Sequence, residues 1–180
     1  MCVLAASVMA DELHMDVAGR DLQVTLSASN TTWVQGTTAD INATLTNTGQ
    51  VPLMVDTFGE LNGVYEGKKP TTIIVSCWTL SWGPGAVSAA GKGGRAPLDV
   101  SQFIRLAPGQ SYITRLFLKV TEMSPGTHHL KLAYAPRVAS PSFSFPEHWL
   151  RQHGITEPIW VGMIISQPVT VDVVAPPVGQ

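Results

Sequence analysis

The segment TTIIVSCWTLSW, residues 71–82, is the strongest core strand in the chain and sets the fold class. Ile74, Trp78, Leu80 and Trp82 fall on one side of an extended backbone, and Thr79 and Ser81 fall on the other. A two-residue period of this kind marks a strand buried on one face. The glycine-rich run that follows, GAVSAAGKGG at 85–94, fails as a phosphate-binding loop. Counted from Gly85, its spacer before Gly91 is one residue too long for G-x-x-x-x-G-K-[ST], and Gly93 stands where a metal-binding hydroxyl is required. It is read as a loop between strands, with Lys92 and Arg95 as solubilising charges.

The same alternation recurs on both sides of this segment. Leu22, Val24 and Leu26 share one face of DLQVTLS (21–27), and Ile41, Ala43 and Leu45 repeat the pattern in DINATLTN (40–47). Asn47-Thr48-Gly49 is a turn or bulge signal, after which VPLMVDTF (51–58) resumes. Val100, Phe103, Ile104 and Leu106 precede Pro108-Gly109, a pair suited to a type II turn because proline fixes φ and glycine accepts a positive φ. SYITRLFLKV (111–120) continues with Leu116, Leu118 and Val120. Pro125-Gly126 then leads into THHLKLAYAP (127–136), and a last strand is expected over 159–174.

A single helix is expected. Ser144-Phe145-Pro146-Glu147 forms a capping box, in which the serine accepts an N–H of the first turn and the glutamate reaches back, and Gly154 offers a left-handed stop. Seven to nine short strands without βα alternation predict an all-β, immunoglobulin-like antiparallel sandwich, with the short helix in the loop before the last strand.

Composition agrees with that class. The 180 residues suit one domain, expected over 11–180. Eleven basic and 13 acidic residues give a net charge of -2, which provides no overall field to attract a polyanion, so nucleic acid is not an expected partner. No stretch has the run of 18 or more apolar residues that a membrane-spanning helix needs. MCVLAASVMA at 1–10 ends in the small-x-small pattern Val8-Met9-Ala10 and reads as the back half of a secretory signal, with export to the periplasm or cell exterior as its consequence. Cleavage there would leave Cys77 as the one cysteine, a buried thiol rather than half of an internal disulfide.

LTNTGQVPL (45–53), the Trp78/Trp82 strand, LAPGQSY (106–112), PGTHHLKLAY (125–134) and SQPVTVDV (166–173) together span most of the chain from Leu22 onward. In these segments the chain resembles bacterial immunoglobulin-like domains, in particular adhesion-type modules and the fold of BsuPI-type proteinase inhibitors. The resemblance implies the fold and a role in holding or binding a partner, and it supplies no catalytic residue. The insert at 136–158 departs from the compact pattern of the inhibitors, so inhibition is not carried over.

Each candidate chemistry has a plainer competitor. His128 and His129 are adjacent on a strand and point to opposite faces, so they cannot chelate one ion together. His148 and His153 are five apart, about 500° around a helix, and do not stack. Cys77 has no histidine or methionine close downstream, unlike a mononuclear copper site; His14-Met15 is the pair a copper-handling reading would use. No resident cofactor is expected. There is no G-x-S-x-G elbow and no H-E-x-x-H, and Asp56 and Glu60 are read as solvated loop carboxylates. Trp78 and Trp82 share their face with Ile74 and Leu80, which favours core packing over a sugar platform. Trp149, beside His148 and Arg151, has no obvious core to join except by docking its helix on the sandwich edge.

In an immunoglobulin-like strand order, GELNGVYEGKKP (59–70) and the helical insert lie at one end of the sandwich. That placement gathers Glu60, Asn62, Tyr65, Lys68 and Lys69 near His148, Trp149 and Arg151, a mixture of ring, charge and amide suited to recognition of a protein or glycan. The expectation is a non-catalytic exported binding or assembly module. The alternatives are a small periplasmic copper-handling protein and a carbohydrate-binding or inhibitor-like accessory module.

Overall fold

The computed structural model describes residues 21–57, 64–65, 72–75, 78–82, 100–136 and 151–177. Among these residues the protein is all-β, with twelve strands in three sheets. The four-stranded sheet contains β1 (Leu22–Ala28), β3 (Thr38–Asn47), β9 (Ser111–Lys119) and β5 (Val64–Tyr65), in that order. The largest sheet runs β2 (Thr32–Val34), β12 (Val169–Val174), β10 (Gly126–Tyr134), β7 (Trp78–Ser81) and β6 (Thr72–Val75), with β11 (Ile164–Ile165) also on β10. β4 (Leu53–Asp56) and β8 (Phe103–Leu106) form a separate antiparallel pair.

Alternation places the core. Leu22, Val24 and Leu26 of β1, Ile41, Ala43 and Leu45 of β3, and Leu116 and Leu118 of β9 are buried, while Gln23 and Thr25 are exposed. Trp78, Leu80, Leu130, Leu132, Tyr134, Val171 and Val173 of the largest sheet join them in one buried cluster. Turn chemistry falls where the residue types require it. Gly109 has φ +76° after Pro108, the backbone that glycine adopts without a Cβ penalty, and Gln110 N–H closes the turn on Ala107 O at 2.9 Å.

Asn47, fully buried at the end of β3, holds two loops. Its Nδ2 donates to Val51 O and Leu106 O, each at 2.9 Å, and its Oδ1 accepts from Gly49 N–H at 2.9 Å. The Asn-x-Gly signal is therefore a side-chain-closed turn joining the four-stranded sheet to the β4–β8 pair.

Three expectations change in the folded protein. TTIIVSCWTLSW is a hairpin rather than one strand: Val75 pairs with Trp78 and Thr72 with Ser81, so the chain reverses between them. Ile74 is therefore registered opposite Thr79 instead of continuing the row of Trp78. No glycine or proline marks the reversal, which is why alternation reads straight through it.

The last strand is also divided. Tyr134 and Ala133 pair with Ile164 and Ile165, whereas Leu130 pairs with Val169. Ser166, Gln167 and Pro168 thus oppose only Lys131 and Leu132, a one-residue excess of the kind found at a bulge. Ser166 bridges the gap by donating its N–H to Leu132 O at 2.8 Å and accepting Leu132 N–H on its Oγ at 3.0 Å.

Asp56, finally, is fully buried at the end of β4 instead of being a solvated loop carboxylate. All four residues of β4 are buried, because β8 pairs along the strand and the 158–160 segment crosses it at Met54. Of the expected short helix, Arg151 and Gln152 are described and helical, and Gly154, at φ +74°, closes that turn by donating its N–H to Arg151 O at 3.1 Å.

Candidate functional site

Among the described residues β1 lies at the end of its sheet and pairs with β3. Thr48 N–H bonds Asp21 O at 2.9 Å and Ser29 N–H bonds Asp40 O at 3.3 Å, and both contacts belong to the β1–β3 register. In an antiparallel ladder the bonded residues alternate. The odd-numbered residues of β1 therefore direct their N–H and C=O toward β3, and Leu22, Val24 and Leu26 direct theirs outward. Among the described residues no strand occupies that outer edge.

A cleft of about 710 Å³ opens beside it, lined by Leu22, Gln23, Val24, Thr48, Met163, Ile164, Ile165 and Gln167. No side chain in this lining is charged. The extra residue before β12 explains why the far wall is apolar. In β12 the odd-numbered Val171 and Val173 face the core, but across the one-residue excess the parity inverts, leaving Met163 52 % and Ile165 45 % exposed. Val51 is exposed as well, on the loop that leaves β3.

The wall is held from behind. Met54 N–H donates to Pro158 O and Trp160 N–H donates to Met54 O, both at 2.9 Å. Tyr134 lies between Trp78 and Trp160, with ring centroids 4.8 and 5.6 Å away, and donates its hydroxyl hydrogen to Asp56 O at 2.9 Å. Arg105 Nε meets Glu157 Oε1 at 2.5 Å, and this hydrogen bond is the main reason the Glu157 carboxyl is held below its ordinary range. The Met163–Ile165 wall thus follows directly on a segment fixed to two strands and an aromatic cluster.

The residues expected to form a recognition surface are only partly described. Tyr65 pairs with Leu118 on β9 through its backbone, and Arg151 is exposed in the turn that leads to Pro158. Glu60, Asn62, Lys68, Lys69, His148 and Trp149 lie outside the described residues, as do residues 1–10, His14-Met15, Cys77, Lys92 and Arg95. Trp78 and Trp82 are buried in the core. His128 and His129 do diverge: His128 Nε2 is 2.7 Å from Ser124 O, while His129 Nδ1 is 3.0 Å from Thr170 Oγ1.

Sequence reasoning missed the β1–β11 cleft. A continuous strand over 159–174 assigns one parity throughout, whereas the apolar row at 163 and 165 stands out only when the parity change at Pro168 is known. Neither a known protein family nor a curated protein matches this chain.

Proposed function

We propose that this chain is a non-catalytic, exported binding or assembly module of immunoglobulin-like type, and that it makes contact through the cleft between β1 and the 163–167 segment. The observation that carries the reading is the joint presence of Met163 and Ile165 in solvent beside a strand edge that no described strand occupies. Exposed apolar side chains bordering a row of free backbone donors and acceptors suit capture of an extended segment, in which main-chain bonds give affinity and the apolar wall selects side chains. The uncharged lining favours a neutral partner strand over an acidic or basic one.

Panning of a displayed peptide library against the wild type and against Met163→Glu/Ile165→Glu tests this. Enrichment of apolar, extended sequences on the wild type that the double variant fails to retain is expected. Equal recovery on both proteins, or no enrichment on either, removes the cleft as the binding surface.

A further inference from the structure

We infer that Asn30 is the acceptor of an N-linked glycan in the exported protein. The inference rests on the export part of the reading above and adds a covalent modification to it. The sequence holds two Asn-x-Thr triplets with no intervening proline, Asn30-Thr31-Thr32 and Asn42-Ala43-Thr44. Such a triplet is the acceptor signature for a glycan on a surface loop of a secreted protein. The fold places the two very differently.

Asn30 is exposed in the connection between β1 and β2, outside either strand. Its Oδ1 accepts Thr32 N–H at 3.0 Å, which closes an Asx turn, and its main-chain O accepts Trp33 Nε1–H at 2.6 Å. With the carboxamide oxygen engaged in this way, Nδ2 is left without a hydrogen bond among the described residues. Trp33 belongs to the buried core cluster, and Asp172 N–H donates to Thr31 O at 2.7 Å, so the main chain of the turn is anchored. Asn30 and Thr32 both remain exposed, and these are the residues that supply the amide nitrogen and the hydroxyl of the acceptor triplet.

Asn42 lies inside β3, with Ser27 of β1 opposite it on one side and Arg115 of β9 on the other, and it is half-buried. A transferase could seat that triplet only by drawing β3 out of two ladders. At Asn30 the transfer needs a polyprenyl-diphosphate oligosaccharide as donor. Nδ2 forms a bond to the anomeric carbon, the bond from that carbon to the diphosphate oxygen breaks, the amide proton passes to a base of the transferase, and the lipid diphosphate leaves. The cleft is lined by Leu22, Gln23 and Val24 at the start of β1, whereas Asn30 follows the end of that strand at Ala28. Glycan and cleft therefore stand at opposite ends of β1, and the modification is compatible with binding.

The test secretes the full chain from eukaryotic cells behind a supplied cleavable leader. An N-glycosidase that leaves aspartate at each occupied asparagine, followed by peptide mass spectrometry, then maps the sites. Asn30 is expected to be occupied in most molecules and Asn42 to be bare. Thr32→Val keeps the main-chain N–H that closes the Asx turn and removes only the hydroxyl, so its secreted protein is expected to lose the Asn30 glycan, while Thr32→Ser retains it. Secreted wild type that is bare at Asn30, a glycan on Asn42 in its place, or a Thr32→Val protein modified as fully as the wild type each overturns the inference. Because the leader is supplied, a bare Asn30 counts against the acceptor site and not against native export. Peptide panning on protein made without a glycan reads the cleft separately.

Discussion

Tyr134, on the central strand of the largest sheet, donates its hydroxyl hydrogen to the main-chain carbonyl of Asp56, 78 residues earlier in sequence, at 2.9 Å. The bond ties the β4–β8 pair to the core cluster at a point where both residues are fully buried. It fixes the aromatic cluster behind the Met163–Ile165 wall, since the same ring packs on Trp78 and Trp160.

Tyr134→Phe removes that hydrogen bond and keeps the ring. A loss of about 1–2 kcal/mol in unfolding free energy is expected from urea denaturation. Tyr134→Ala also removes the ring from between two indoles and costs about 3–5 kcal/mol. Equal stabilities for the phenylalanine variant and the wild type would show that the hydroxyl contributes nothing.

Asn47→Ala breaks three side-chain hydrogen bonds at a fully buried position, leaving Val51 O, Leu106 O and Gly49 N–H without the side-chain partner. The expected cost is about 2–4 kcal/mol, read from the denaturation midpoint at unchanged slope. Asn47→Asp keeps the acceptor for Gly49 N–H but sets a carboxylate oxygen against two carbonyls, so it is expected to be at least as destabilising as alanine.

Gly49→Ala introduces a Cβ only 2.7 Å from Asp21 Cβ and Cγ. The loop and the start of β1 cannot both keep their positions, and thermal unfolding should shift down by several degrees in a domain of this size. Gly109→Ala has open space around it but must adopt φ +76°, at a cost of about 1–2 kcal/mol.

The Arg105–Glu157 pair supplies a pH dependence. The pair lowers the folded-state pKa of Glu157 below its ordinary 4.5. Its contribution is therefore present above the unfolded pKa and is lost as pH falls through the folded value. Glu157→Gln should be less stable than the wild type at pH 7 by under about 1 kcal/mol, because Arg105 is half exposed and screened, and the two proteins should converge as pH falls below 4. A difference that grows on acidification would contradict the sign.

Sequence alone determined that the chain is all-β, that Leu22, Val24, Leu26, Ile41, Ala43, Leu45, Trp78 and Leu80 face the core, and that the chain turns at Asn47–Gly49 and Pro108-Gly109. These are local properties: alternation fixes which face of a strand is apolar, and glycine, proline and asparagine fix turn dihedrals without a partner strand. Tertiary structure decided the rest. The reversal between Val75 and Trp78, the burial of Asp56, the inverted parity at Met163 and Ile165 and the place of β1 at the end of its sheet among the described residues all depend on which strand lies beside which. A one-residue excess is visible only against the partner that it slips past, and an edge exists only once the whole sheet is ordered, so neither leaves a mark in the period of a single segment.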